Sequence, residues 1–309
     1  MLGAAHRSQP LSQLTVPVLL GPTGVGKSEA AFRIARELGA EIVVCDSRQV
    51  YDRLDIATNK PSPDNLRRVP HHLVGVADPR EVFSVKDFVE LAGARIAEVA
   101  GRGRVPIVEG GSMLWADALT DGFSLSGVPP DPALRRRLEG MPLEKLDALL
   151  RRLDPEATVD RRNPVRLIRA IEVLEAVGPP LARTRTRTPP VWRPLRLGLT
   201  ASLATIDARL AERSRRQLRR GLVEETRAAL EAGVPPQAPV LTGIGYAQAV
   251  AHLQGELPEA ELEPAMNLAN RRYARRQLRW LRRDTRIRWF LAESDPVPGI
   301  LAYLRETLI

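Results

Sequence analysis

Gly21 to Ser28 read GPTGVGKS, with the apolar run VPVLL (Val16 to Leu20) before them and a helical pattern from Ser28 to Leu38 after them. Apolar run, glycine loop and helix in that order constrain the fold more than anything else in the chain. Glycines let a backbone fold into a nest of N–H donors, and a helix that starts there adds its positive end. The segment fits the phosphate-loop pattern, in which Lys27 reaches the outer phosphates and Ser28 offers a hydroxyl to Mg²⁺. Gly21, Pro22, Thr23, Gly24, Val25, Gly26, Lys27 and Ser28 are therefore expected to hold a di- or triphosphate. A glycine turn serving structure alone has no use for the Lys-Ser pair. Which phosphate compound binds is left open, and ATP would be tolerated.

Two more short apolar runs end in polar residues. EIVVC (Glu41 to Cys45) ends at Asp46, and VPIVE (Val105 to Glu109) ends at Gly110-Gly111-Ser112. Apolar runs alternating with helical patterns, here Ser28 to Leu38 closed by Gly39, predict a parallel α/β sheet. Ligands of such sheets bind beyond the carboxyl ends of the strands, where all three features fall. Asp46 is placed to hold Mg²⁺ or to act as a general base on a second substrate, or it caps a helix. From about Gly122 the pattern changes to short amphipathic helices, with Leu143, Leu146, Leu150 and Leu153 at helical spacing, as are Leu167, Ile171 and Leu174. RTRTRTPPVWRP (Arg183 to Pro194) reads as a basic, proline-broken loop, and LRLGL (195–199) as a returning strand. The expected organisation is a phosphate-loop α/β core over 1–123, a small helical insertion over 124–192, and a return to the core with basic terminal helices over 193–309. Residues 1–15 read as a frayed lead-in.

Charge adds a partner. The net charge is +9, and nine arginines against one acid between Asn270 and Trp289 supply +8 of it. Coding bias explains why arginine replaces lysine, since only four lysines occur, but not why positive charge gathers in one window. A concentrated basic stripe is the footprint of a polyanion such as nucleic acid. The single cysteine, Cys45, allows neither a disulfide nor a zinc site. The first residues, MLGAAHRSQPLSQL, show no apolar leader, and no run of about eighteen apolar residues occurs, so a cytoplasmic protein without a membrane span is expected.

GPTGVGKS, DSRQVYDRLDIATNKP (46–61), VPHHLVG (69–75), EGGSMLWADALTDG (109–122) and RRYARRQLRWLRR (271–283) occur in this order. Together these blocks, spread over about 16–290, resemble the bacterial tRNA dimethylallyltransferase (tRNA isopentenyltransferase) family. The resemblance implies transfer of a dimethylallyl group from dimethylallyl diphosphate to N6 of the adenosine just 3′ of the anticodon. The tRNAs implied are those reading codons that begin with U, and diphosphate is released. On this basis the loop 21–28 holds the diphosphate, with Lys27 neutralising it and Ser28 ligating Mg²⁺. Arg213 is implied as a further diphosphate ligand, with Arg209 as second choice. Asp46 takes a proton from, or hydrogen-bonds to, the attacking amine. Ser112, where threonine is usual in the family, orients Asp46 and the amine.

The same resemblance implies a tRNA face. Asp46, Ser47, Arg48, Gln49 and Ser112 meet a target base flipped out of the anticodon loop. Arg135, Arg166 and Arg169 contribute from the insertion, and Gly245 and Tyr246 from TGIGYA (242–247). Arg271, Arg275, Arg279 and Arg282 lie near one face of a helix running from Asn270, a phosphate rail with Arg276 and Gln277 beside it and Leu278 and Leu281 buried behind. The chain departs from the family at Val165, where glutamine is common, at Thr242 and Ala247, where arginines flank the Gly-Tyr pair, at Asn59, where alanine is usual, and at Trp115, a common tyrosine. A monomer is expected.

Lesser signals have plainer readings: His71-His72 a structural turn, Cys45 packing, and Trp280 and Trp289 anchors of the last helices. Lys60 reaches a phosphate or base, or is a surface lysine. Three alternatives stay open: a nucleoside or small-molecule kinase with a helical lid, an RNA-binding ATPase switch, and a cytokinin synthase acting on adenosine phosphate.

Overall fold

The computed structural model describes residues 10–123, 127–129, 131–184 and 187–308. Six strands make one sheet: β1 (Thr15–Leu20), β2 (Glu41–Cys45), β3 (His71–His72), β4 (Pro106–Gly110), β5 (Arg193–Thr200) and β6 (Arg288–Leu291). All neighbours are parallel, in the order β3-β2-β4-β1-β5-β6. The period-two geometry of a strand explains why the apolar runs are continuous rather than alternating. Val16, Val18 and Leu20 join Val43 and Val108 in the core on one face, while Leu19 joins Ile42, Val44 and Ile107 on the other. Both faces are covered, so both need apolar side chains. The expected α/β class with a parallel, phosphate-loop sheet is the one observed.

The helices of the first part are α1 (Lys27–Leu38), α2 (Pro63–Arg68), α3 (Val85–Gly101) and α4 (Met113–Asp121). Gly39 closes α1 in the left-handed conformation at φ 61°, its N–H donating to Ala35 O, as its place after the last apolar residue predicts. A second compact unit, residues 120–190, is inserted in the sequence. Its helices are α5 (Pro132–Glu139), α6 (Leu143–Leu153) and α7 (Pro164–Val177), and they bury their own core around Leu138, Leu146, Leu150, Leu167, Ile171 and Leu174. Ser124, the expected first residue of the insertion, lies outside the described residues, as do residues 1–9 of the lead-in and 185–186 of the basic loop.

After β5 the first unit continues with α8 (Leu203–Arg219), α9 (Leu222–Glu231), α10 (Tyr246–Leu253), α11 (Glu259–Leu281) and α12 (Val297–Thr307). Three expectations are corrected here. The basic helix begins at Glu259, eleven residues before Asn270, and runs through Pro264. Trp289 sits on the edge strand β6, in the β-favouring run IRWFL, and not on a helix. His71-His72 is a short strand beside β2, not a turn: His71 Nδ1 bonds Val69 O at 2.8 Å and His72 Nε2 bonds Glu41 Oε2 at 2.7 Å. Among the described residues no group of three or more His, Cys, Asp or Glu is arranged to hold a metal ion, and no helix is long and apolar enough to cross a membrane.

Candidate active site

The middle strands each deliver one feature at their carboxyl ends. From β1 the chain enters the loop 21–26, where Gly24 and Gly26 take φ of 82° and 98°. Gly26 is the left-handed N-cap of α1, and at Gly24 an added Cβ would stand 2.8 Å from the Leu210 side chain. From β4, which lies between β1 and β2, comes Glu109, paired in register with both Leu19 and Val44. From β2 comes Asp46. These features line one cavity of about 810 Å³, whose other walls come from Ala57 to Asn59, Thr242 to Ile244, α8 and α11.

The charges in this cavity are buried and interlocked. Lys27 Nζ donates to Pro22 O at 3.0 Å, and its pKa is lowered chiefly by burial, against the pull of Glu109 and Asp46. Ser28 Oγ donates to Glu109 Oε1 at 3.1 Å. Glu109 is only 5% exposed, and burial raises its carboxyl above the usual range although Lys27 opposes this. Arg213 donates to Thr23 Oγ1 and to Asn270 Oδ1, each at 2.8 Å, while its Nε is buried without a partner. Burial pulls its guanidinium down to about 10. A cation this desolvated, with an unused donor, sits where an anion would restore what it has lost. Arg209 instead spends its guanidinium on the carbonyls of Val25 and Ala292, both at 3.0 Å.

Asp46 caps the turn that follows it, its Oδ1 accepting from the N–H of Arg48 at 2.8 Å and of Gln49 at 3.4 Å. Among the described residues no helix follows directly, so Asp46 caps a turn and not the expected helix, and this cap occupies one oxygen only. Ser112 spends its hydroxyl on Ser47 rather than on the Asp46 carboxylate. Its Oγ accepts from Ser47 N at 2.9 Å and donates to Ser47 Oγ at 3.2 Å, so it fixes the neighbour of Asp46.

The expected tRNA residues divide. Arg48 and Gln49 line the cavity, and burial lowers the Arg48 guanidinium. On α11, Arg271 and Arg275 share Asp207, at 3.6 and 3.0 Å, while Arg276 lies 5.1 Å from the centre of the Tyr273 ring. Arg279 and Arg282 are exposed, and Leu278 and Leu281 are buried behind them. Two residues expected at the tRNA turn inward. Tyr246 is 1% exposed and donates to a carboxylate oxygen of Glu225. Gln277 faces the phosphate loop. Gly245 keeps φ of 99°, and an added Cβ would stand 2.8 Å from Ala57 Cβ, so it needs glycine for packing. In the inserted unit Arg135 and Arg169 reach the buried Glu172 at 2.6 and 3.3 Å, and Arg166 and Val165 are exposed on α7. Lys60 pairs with Asp55 at 2.5 Å rather than reaching into the cavity.

Sequence reasoning passed over Glu109, Asn270, Gln217 and Tyr273, all of which line the cavity. The signals were present. Glu109 is the acid closing an otherwise apolar run, and Asn270 and Gln277 are amides on the stripe Asn270, Ala274, Gln277, Leu278, Leu281 that the helix buries.

A glycine nest at the helix start, a buried lysine, a hydroxyl on a strand-end acid and a second acid one strand away are the parts of a P-loop α/β protein. Residues 49–284 match the model of the family described as IPP transferase, and the chain belongs to that family. It is 41% identical over 297 residues to a tRNA dimethylallyltransferase of Thermomicrobium roseum, covering 94% of this chain and 89% of that one. It is 43% identical over 274 residues to the tRNA dimethylallyltransferase of Thermus thermophilus, covering 87% and 90%. The crystal structure of the full-length tRNA isopentenylpyrophosphate transferase from Bacillus halodurans is similar, with a TM-score of 0.73, 29% identity, and coverage of 96% of this chain and 97% of that one.

Proposed function

We propose that this protein transfers a dimethylallyl group from dimethylallyl diphosphate to N6 of the adenosine beside the anticodon of tRNA, acting as a cytoplasmic monomer. Family membership supports the transferase class and disfavours the kinase alternative. The observation that carries the chemistry is the meeting of two desolvated cations, buried Lys27 and half-buried Arg213, with the carboxylate of Asp46 in one cavity.

The step breaks the bond between the allyl carbon and the bridging oxygen, and the electron pair leaves with the diphosphate. The N6 nitrogen forms the new bond to that carbon and gives up a proton. The N–H groups of the loop, with Lys27 and Arg213, meet the charge that grows on the departing oxygens; fixed donors in a dry site stabilise such a transition state more than the ground state. The Asp46 oxygen not used in the cap accepts the amine proton. Arg48 and Gln49 border the side from which the base comes, and the arginines of α11 bind the backbone of the anticodon arm.

The donor set fits Mg²⁺: the Ser28 hydroxyl rests on a buried carboxylate whose charge needs a cation. Ser28 and Glu109 would hold the ion, which when bound supplies charge neutralisation to the diphosphate.

Two incubations test the reading. With prenyl-labelled dimethylallyl diphosphate and unmodified tRNA carrying adenosine at the target position, label enters tRNA. With γ-labelled ATP and nucleoside or small-molecule acceptors, no phosphoryl transfer is seen. The opposite pair of results establishes the kinase.

A further inference from the structure

Gln277 is 1% exposed, and its carboxamide is engaged at both ends. Oε1 accepts from Thr23 N at 2.8 Å and Nε2 donates to Gly111 O at 2.8 Å. The orientation of the amide follows from its partners, since the Thr23 N–H can only donate and the Gly111 carbonyl can only accept. The contact is direct: a Cβ added at Gly111 would stand 2.6 Å from Gln277 Nε2. Two turns earlier on the same buried stripe, Asn270 accepts from Arg213 Nη2, and Arg213 donates in turn to Thr23 Oγ1. Thr23 is thus fixed through its backbone and its side chain, in both cases by groups that α11 orients.

This arrangement spans two ends of the chemistry. Thr23 belongs to the loop that receives the diphosphate, and Gly111 precedes Ser112, which holds the turn after Asp46. With its N–H committed to Gln277 and its hydroxyl to Arg213, Thr23 is held in place within the loop. We propose that Gln277 is a positioning residue for the donor, an amide spacer that sets the separation between the phosphate loop and the acceptor side of the cavity. The proposal rests on the reading that the diphosphate occupies the loop. It moves Gln277 from tRNA recognition, where the family resemblance puts it, to the geometry of the leaving group.

The test uses the full-length protein and the variants Gln277→Met and Gln277→Glu. Methionine fills the space but leaves the Thr23 N–H and the Gly111 carbonyl without partners. Steady-state kinetics should show the specificity constant for dimethylallyl diphosphate falling on the order of ten- to a hundredfold. The Kd for tRNA, measured by filter binding without the donor, should change less than about twofold, because the exposed arginines of α11 are untouched. Glutamate keeps the acceptor toward Thr23 but sets a carboxylate against the Gly111 carbonyl. Protonation turns that oxygen into a donor, so the activity of Gln277→Glu relative to wild type should recover as the pH is lowered. A packing role does not produce such a profile, and the profile remains readable if Gln277→Met fails to fold. Weakened tRNA binding with an unchanged donor constant overturns the proposal, and so does wild-type behaviour of Gln277→Glu at every pH. If the wild-type protein leaves dimethylallyl diphosphate intact with tRNA present, the underlying reading fails first and the proposal falls with it.

Discussion

Ser28 Oγ and Glu109 Oε1 are 3.1 Å apart, joining the first turn of α1 to the end of β4. Burial holds that carboxylate above its ordinary pKa, although Lys27 and the Ser28 hydroxyl pull the other way. A buried acid with a raised pKa is penalised in its charged form, so its contribution to stability is lost as pH rises through that raised value. Glu109→Gln should therefore melt higher than wild type at neutral pH without ligands, by roughly 2–6 °C, and the difference should vanish well below the usual glutamate range. The same variant should need more Mg²⁺ and transfer at least about tenfold more slowly. Calorimetry across pH and a metal titration check both. A variant that melts lower at neutral pH would show that the carboxylate serves structure.

Asp46→Asn keeps an oxygen for the cap to Arg48 and Gln49 but removes the charge. The expected loss is in kcat, about 10²- to 10⁴-fold, with the Kd for tRNA within about twofold of wild type. Single-turnover rates and filter binding separate the two. An equal loss of binding would make Asp46 a recognition residue.

Arg213 is bound at two nitrogens in a fork that a lysine cannot reproduce. Arg213→Lys should lower kcat for transfer by about 10²-fold or more, since a fixed donor to the leaving group is lost. Retention of wild-type kcat would place the growing negative charge elsewhere.

Charge on α11 is unevenly available. Arg275 is held by Asp207 through two hydrogen bonds at 3.2 and 3.0 Å, whereas Arg279 and Arg282 are exposed. Alanine at Arg279 or Arg282 should weaken tRNA binding and reduce the slope of log K against log salt by about one. Alanine at Arg275 should change the slope less, because the wild-type residue is already neutralised. Binding isotherms at several salt concentrations check the order. A larger change at Arg275 would mean that the Asp207 pair opens on tRNA.

Most of the fold was legible because local signals agreed: the glycine loop, the strand-end acids and the Gly39 cap each depend on a few neighbouring residues. What the sequence hid depends on strand order. Glu109 meets Ser28 only because β4 lies next to β1, a long-range fact that no spacing encodes. Gln277 was read with its arginine neighbours, and its side chain turns inward because the helix phase sets it on the stripe of Ala274 and Leu278. Tyr246, expected to meet tRNA together with Gly245, is buried instead and donates to Glu225, a partner far from it in sequence. Trp289, expected to anchor a terminal helix, lies in the run RWFL, whose aromatic residues favour a strand.

The central claim is that the phosphate loop binds a leaving group rather than a phosphoryl donor. The most direct measurement counts products in one reaction: diphosphate released, and prenylated adenosine recovered by mass spectrometry from digested tRNA. The account predicts one diphosphate for each prenyl group, all of it on N6. Orthophosphate in place of diphosphate, or tRNA without prenyl adenosine while the donor is consumed, would contradict it.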